Sequence, residues 1–210
     1  KSSYTLAGLA DVACDAVGEV SASRWHVLDN MTRHSAVRYA GLVQQAQLFD
    51  NASFAVSTAE ATWMDPQQRL LLEQGYVAIY NANHRRHTCL AHDIAVTVAI
   101  QAADFATVIA RTPVLELPVY AVSGFTFAVA AGRISYVLGM QGACFSTDTA
   151  CSAALVAVHA AKAMVHNVEC ESALTLAVNL TLLPWCHWLV AIANMTSADG
   201  RCKFLDARAN

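Results

Sequence analysis

The chain has 210 residues, of which 56% are hydrophobic and only 14% charged, and its formal net charge is −3. That charge fraction lies well below the roughly 25% of an average soluble domain, so the sequence implies either a large core with elements buried on both faces or a membrane segment. No Lys/Arg cluster goes beyond Arg85-Arg86, and a nucleic-acid reader would want a basic stripe.

No charged-then-apolar signal segment opens the chain; it begins inside ordinary sequence, as an excised piece would. The first sixty residues are weakly patterned. In "WMDPQQRLLLEQGYVAIY", Asp65 can cap a helix, Pro66 suits its first turn and Gln68 stands three residues after the cap. A helix is expected from Pro66 to about Tyr80. His84, His87 and Cys89 follow closely, but without clustered Cys/His pairs they read as a polar loop, not a zinc site.

"IAVTVAIQ", Ile94 to Gln101, is β-branched and uncharged, as a strand buried on both faces in a parallel sheet would be. "FTFAVAAGRISYVLG" reads as a helix ending at Gly139. "ACFSTDT" (Ala143 to Thr149) reads as a strand, "SAALVAVHAAKAMVH" (Ser152 to His166) as a helix and "LTLAVNL" (Leu174 to Leu180) as a strand. This alternation defines an α/β fold with helices covering the sheet. The stretch Ser172 to Ala198 has no Asp, Glu, Lys or Arg and is long enough for a bilayer, which needs about 20 apolar residues. Asn179, Thr181, Pro184, His187 and Asn194 inside it would need partners in lipid, so no membrane span is expected.

The seven cysteines, at 14, 89, 144, 151, 170, 186 and 202, contain no C-x-x-C pair. Scattered thiols without a disulfide framework fit a reducing, intracellular setting, cytoplasmic or organellar. Cys151 stands out because it separates a strand from a helix apolar on almost every side, with Lys162 its one formal charge. Such a helix is expected to be buried in the middle of the protein. Thr149 to Ser152 should then form a tight turn between a buried strand and a buried helix. At the helix N-terminus the dipole favours a thiolate, and free backbone N–H groups could steady an oxyanion. The arrangement is that of a nucleophile elbow; the alternative is a buried packing thiol.

"DTACSAALVAVHAA", at Asp148 to Ala161, resembles the active-site segment of β-ketoacyl synthases, specifically the ketosynthase domains of type I polyketide synthases. "MDPQQRLLLE" at Met64, "AAGRISYVLGMQG" at Ala130 and "SADGRCKFLDARA" at Ser197 are similar to further motifs of that family, in its order. "SRW" at Ser23, "VRYAGLV" at Val37 and "LFD" at Leu48 are fainter echoes. The resemblance implies a thiolase-like αβαβα layered fold. Residues 1–210 would be the N-terminal part of the domain, with a mixed, mostly parallel sheet and a buried nucleophile helix. It implies that Cys151 takes an acyl chain from the phosphopantetheine arm of an acyl carrier protein. Decarboxylative Claisen condensation with a malonyl-type thioester would follow, in polyketide or fatty-acid synthesis. No directly bound cofactor and no metal is implied. A homodimer through the strand Ala143 to Thr149 is.

The family's two catalytic histidines lie in motifs beyond "DGRCKFLDARAN", and none of the eight histidines here sits in such a motif. This chain alone is therefore expected to be incomplete for condensation. His159, two turns past Cys151, reads as a core histidine and His166 as a dipole partner at the helix end. The family's Gly-Pro-Ser is Gly142-Ala143-Cys144 here, its serines are Ala153 and Ala154, and its glycine pair is Leu176-Ala177. The missing half would cover the apolar faces of "IAVTVAIQ" and "LTLAVNL". Two further readings stand beside the enzyme: a degenerate, non-catalytic ketosynthase-like scaffold, and an unrelated cysteine acyltransferase or hydrolase sharing only the elbow.

Overall fold

The uncharged run Ile94–Ile100 forms a strand (β3) in which every residue is buried. Its alternation sorts two kinds of side chain. Ile94, Val96, Val98 and Ile100 face one core with Leu71, Leu72, Ile134 and Leu138. Ala95 packs with Met164 and Cys170, and Ala99 with Ala153 and Ala157, on the opposite face. Large residues therefore look to one helical layer and small ones to the other, as period-2 geometry requires.

The computed structural model describes residues 15, 17–22, 24–25, 38–82, 92–101, 104–197, 199–203 and 207. They divide into two units, Ala46–Leu180 and Lys1–Gln45 with Thr181–Asn210. In the first unit the elements run α1 (Thr58–Thr62), α2 (Pro66–Asn81), β3, α3 (Asp104–Ala110), α4 (Ala121–Phe125), α5 (Phe127–Leu138), β4 (Cys144–Thr147), α6 (Ala153–His166) and β5 (Ser172–Val178). β3 is central, in the order β4-β3-β5, and both pairings are parallel. Parallel strands need crossovers; α6 supplies the one from β4 to β5, which lie on either side of β3. Helices α2 and α5 share one core with the sheet, and α6 lies on the other face. These are three layers, helix, sheet and helix, of an α/β arrangement. The three described strands of this sheet are all parallel, the pairing expected to predominate. The faces of β3 do not wait for a missing half: this unit's own helices bury both.

The "MDPQQR" motif acquires a physical account here. Asp65 caps α2 by accepting from the Gln67 N–H at 2.8 Å, and Pro66 occupies the first turn. Gln68 does not close a capping box, as its spacing suggested. Its amide instead donates to the Gly124 carbonyl at 3.0 Å, and the same carbonyl takes the Asp65 N–H at 2.9 Å. Gln68 Oε1 accepts from Arg133 Nε at 2.9 Å, and Arg133 also pairs with Glu60. Gln67 Oε1 accepts the Leu180 N–H at 3.0 Å. Asp65, Gln67 and Gln68 are buried, Arg133 nearly so, and Glu60 partly exposed. Two of the sequence motifs are thus halves of one hydrogen-bonded network, satisfied in the interior as buried polar groups must be.

The Leu176 departure is accommodated at Gly75 of α2. A Cβ at Gly75 would stand 3.1 Å from Leu176 Cδ1, so the glycine on the helix makes room for the leucine on the sheet. Helix α5 ends at Gly139, as expected, with φ 77° and an N–H bonded to the preceding turn. It starts at Phe127, because the extended Thr126 separates it from α4.

In the second unit β1 (Gly18–Glu19) pairs antiparallel with β2 (Tyr39–Ala40), and α7 spans Pro184–Ile192. The charge-free run is therefore strand then short helix, divided before Pro184. No helix among the described residues is long and apolar enough to cross a membrane. In the "SADGRCK" motif Asp199 accepts the Arg201 N–H at 3.2 Å and pairs with Lys203 at 3.0 Å. The Ser197 hydroxyl bond first, then those from Lys203 and the Arg201 N–H, hold its carboxyl well below the usual carboxylate range. Arg201 reaches Asp15 at 2.5 Å and lies over the Tyr39 ring.

A Cβ at Gly142 would stand 2.5 Å from the Ile94 carbonyl carbon, a backbone atom that cannot yield without moving β3. Gly142→Ala is expected to destabilise the fold by about 1–3 kcal/mol, read from chemical denaturation; wild-type stability would refute the close approach. A second outcome concerns pH. Burial, with a smaller push from Asp104, raises the Asp65 carboxyl above its ordinary 3.8. Folding thus favours its neutral form. Its contribution is full below the unfolded value and is lost as pH rises through the raised folded value. Asp65→Asn keeps a good cap and should flatten stability against pH in that window; an unchanged slope would contradict it.

Candidate active site

β4 lies at the edge of the described sheet, and Cys144 and Phe145 on it are exposed. The expected buried strand is thus an edge strand, because β3 occupies only one of its sides. Ser146 ties it to the start of α5 by donating to the Phe127 carbonyl at 2.6 Å. A cavity of about 290 Å³ opens at this edge, lined by Ile100, Phe127, Cys144, Ser146, Thr147 and Asp148. A roomier one of about 1030 Å³, around Phe54, Val56, Tyr120, Arg133 and Tyr136, takes no residue from the turn that follows β4.

That turn is tightly made. Ala150 N–H donates to Asp148 Oδ1 at 2.9 Å, an Asx turn. Ser152 N–H donates to the Thr149 carbonyl at 3.3 Å, and Ala153 N–H to that of Ala150 at 3.1 Å. The Ser152 hydroxyl lies 2.8 Å from the Thr149 carbonyl and 2.9 Å from its Oγ1. Ala150 has φ 55°, in the left-handed region that a Cβ disfavours. Cys151 comes next and is exposed. Helix α6 begins at Ala153 after Ser152, and no side chain caps it. Cys151 therefore stands ahead of the first helical turn, whose N–H groups point toward its end of the helix. It is not a packing thiol; Cys170, buried against Ala95 and Met164, is one.

The expectation of an all-round buried helix is corrected. The stripe Ala153, Ala157, Ala161 and Met164 is buried, while Leu155, Val156, Val158 and Val165 are exposed. Within this unit the sheet can cover only one face. His159 is off the stripe and exposed, not a core histidine. His166 does sit in the last turn. His84, His87 and Cys89 lie outside the described residues. Among the described residues no group of three His, Cys, Asp or Glu could hold a metal ion. Reading the sequence for nucleophiles passed over Asp148 and Ala150. The signal available was an Asp two residues ahead of a bend, the Asx-turn pattern.

The family model "Beta-ketoacyl synthase, N-terminal domain" matches residues 12–210. The chain is 38% identical over 167 residues to a phenolphthiocerol/phthiocerol polyketide synthase of Mycobacterium tuberculosis, covering 79% of this chain and 8% of that protein. It is 32% identical over 204 residues to polyketide synthase PksL of Bacillus subtilis, covering 94% and 4%. A solved ketosynthase from module 6 of the bacillaene synthase of Bacillus subtilis 168 superposes with TM-score 0.78 at 31% identity, over 91% of this chain and 31% of that one. The chain belongs to the β-ketoacyl synthase family. It spans under a tenth of the polyketide synthases it matches and about a third of the solved ketosynthase chain.

The left-handed turn can be tested on stability. Ala150→Gly removes the Cβ conflict at some cost in chain entropy, and is expected within about 1 kcal/mol of wild type. Ala150→Val places a β-branched residue in that region and should lose about 1–2 kcal/mol or more. Equal unfolding midpoints for the two variants would rule out a left-handed Ala150.

Proposed function

We propose that this chain provides the acyl-accepting half of a ketosynthase active site in polyketide assembly, with Cys151 as nucleophile. The observation that carries the reading is an exposed thiol held by a left-handed turn at the start of an uncapped helix, in a chain of the β-ketoacyl synthase family. The Cys151 thiolate attacks the carbonyl carbon of an acyl thioester on the phosphopantetheine of an acyl carrier protein. A C–S bond forms to Cys151, and the bond to the carrier breaks. The carrier thiolate leaves and takes up a proton. A malonyl-type thioester then loses CO2, and its enolate attacks the Cys151 thioester. The β-ketoacyl chain leaves on the carrier and the thiolate is released. The first-turn N–H groups of α6 favour negative charge on the tetrahedral oxygen.

The rest of the reading extends the same geometry. The exposed β4 edge supports pairing with a second copy through Ala143 to Thr149. The thiol chemistry needs a reducing intracellular compartment, cytoplasmic or organellar. These steps call on no metal and no directly bound cofactor.

In the natural polypeptide carrying this chain, an acyl thioester or an electrophilic epoxide is expected to modify Cys151 ahead of the other cysteines. Cys151→Ala should abolish acylation. Peptide mass mapping decides it, and modification chiefly at Cys144 or Cys202 would transfer the role. A protein of residues 1–210 alone is expected to self-acylate slowly and not to condense. The enolate needs preorganised donors, each worth about 3 kcal/mol, and no histidine here lies in a family catalytic motif. Release of CO2 with β-ketoacyl product, at the rate of a whole ketosynthase, would overturn that.

A further inference from the structure

We propose that Asp148 is a positioning residue for the acylation of Cys151, acting through hydrogen-bond acceptance and not through its charge; this rests on the reading of Cys151 as nucleophile. Three observations carry it. Asp148 is exposed and makes no ion pair among the described residues. Its hydrogen bond to the Ala150 N–H, at 2.9 Å, runs inward to the turn. Ala150 is the left-handed residue immediately before the thiol. The backbone of an alanine has no preference for that conformation, so something must hold it there. Asp148 closes the turn from the strand side, and the Ser152 hydroxyl, 2.8 Å from the Thr149 carbonyl, closes it from the helix side. Between these two straps the direction of the Cys151 side chain is fixed relative to the start of α6. Attack on a bound thioester demands that direction; alkylation by a small free electrophile demands it far less.

The chemistry separates acceptance from charge. Asparagine offers the same acceptor oxygen at the same reach and no charge. Glutamate keeps the charge but carries it one methylene too far to close the same ring. The experiment uses the natural polypeptide carrying this chain, with Asp148→Asn, Asp148→Glu and Asp148→Ala. It measures the acylation rate of Cys151 by an acyl-N-acetylcysteamine thioester, by mass, and the rate of Cys151 alkylation by iodoacetamide across pH. Asp148→Asn is expected to acylate close to the wild-type rate. Asp148→Glu and Asp148→Ala should fall by roughly ten- to a hundredfold, with iodoacetamide alkylation of the folded protein little changed. If Asp148→Ala does not fold, the contrast between Asn and Glu carries the test alone. A Glu variant as fast as wild type, or an Asn variant as slow as Glu, overturns the proposal. Wild-type acylation that maps to another cysteine overturns the reading of Cys151 itself. Normal acylation at Cys151 in all three variants overturns only the role of Asp148.

Discussion

Small side chains set against small side chains determine where everything else in the larger unit can be. Ala153, Ala157 and Ala161 line one face of α6, and Ala95, Thr97 and Ala99 line the face of β3 turned toward it. Without bulk on either side the helix backbone lies close to the sheet. Thr97 can then donate its hydroxyl to the Ala157 carbonyl at 3.3 Å, and the same hydroxyl lies 2.9 Å from that of Thr175 on β5. A larger residue on either stripe would lift the helix, at a cost of about 1–3 kcal/mol for overpacking. It would also shift the helix start, and with it Cys151. The contact that seats the helix therefore also sets the height of the Cys151 thiol above the sheet.

The opposite face uses different physics. There the core is aliphatic, but its rim is a chain of buried amides and one ion pair. Arg133 links Glu60 and Gln68, Gln68 holds the Gly124 carbonyl, and Gln67 holds the Leu180 N–H. Aliphatic contact tolerates sliding; directional bonds do not. Each of these groups would be costly to bury alone. Joined, they fix α2, α4 and α5 relative to one another and pin the exit of β5. Since α5 also receives the Ser146 hydroxyl through the Phe127 carbonyl, the network reaches the strand that leads into the Cys151 turn.

Two kinds of surface are left over. β4 has an unpaired edge among the described strands, and the outer face of α6 exposes Leu155, Val156, Val158 and Val165. A solitary small domain would blunt such an edge and such a stripe with charge. That neither is blunted agrees with membership of a family whose solved relative is about three times as long as this chain.

The sequence by itself determined the type and order of α2, β3, α5, β4, α6 and β5, because β3, α2 and α5 carry strong local signals; the short helices α1, α3, α4 and α7 and the β1-β2 pair carry none that stood out. The strong signals are an uncharged β-branched run, a cap followed by proline, and a glycine in the left-handed region at a helix end. It also determined that Cys151 falls at a strand-to-helix junction, since composition changes abruptly there. Only the tertiary structure decided which faces are covered. An alanine-rich helix looks buried all round to any periodic reading, because alanine is small enough for either environment; the sheet covers one stripe and leaves His159 outside. In the same way Gln68 looks like half of a capping box until Gly124, far along the chain, takes both the Gln68 amide and the Asp65 N–H. The turn at Asp148 and Ala150 was readable in principle, but its left-handed residue is an alanine, and nothing in that residue type announces the conformation that its neighbours impose.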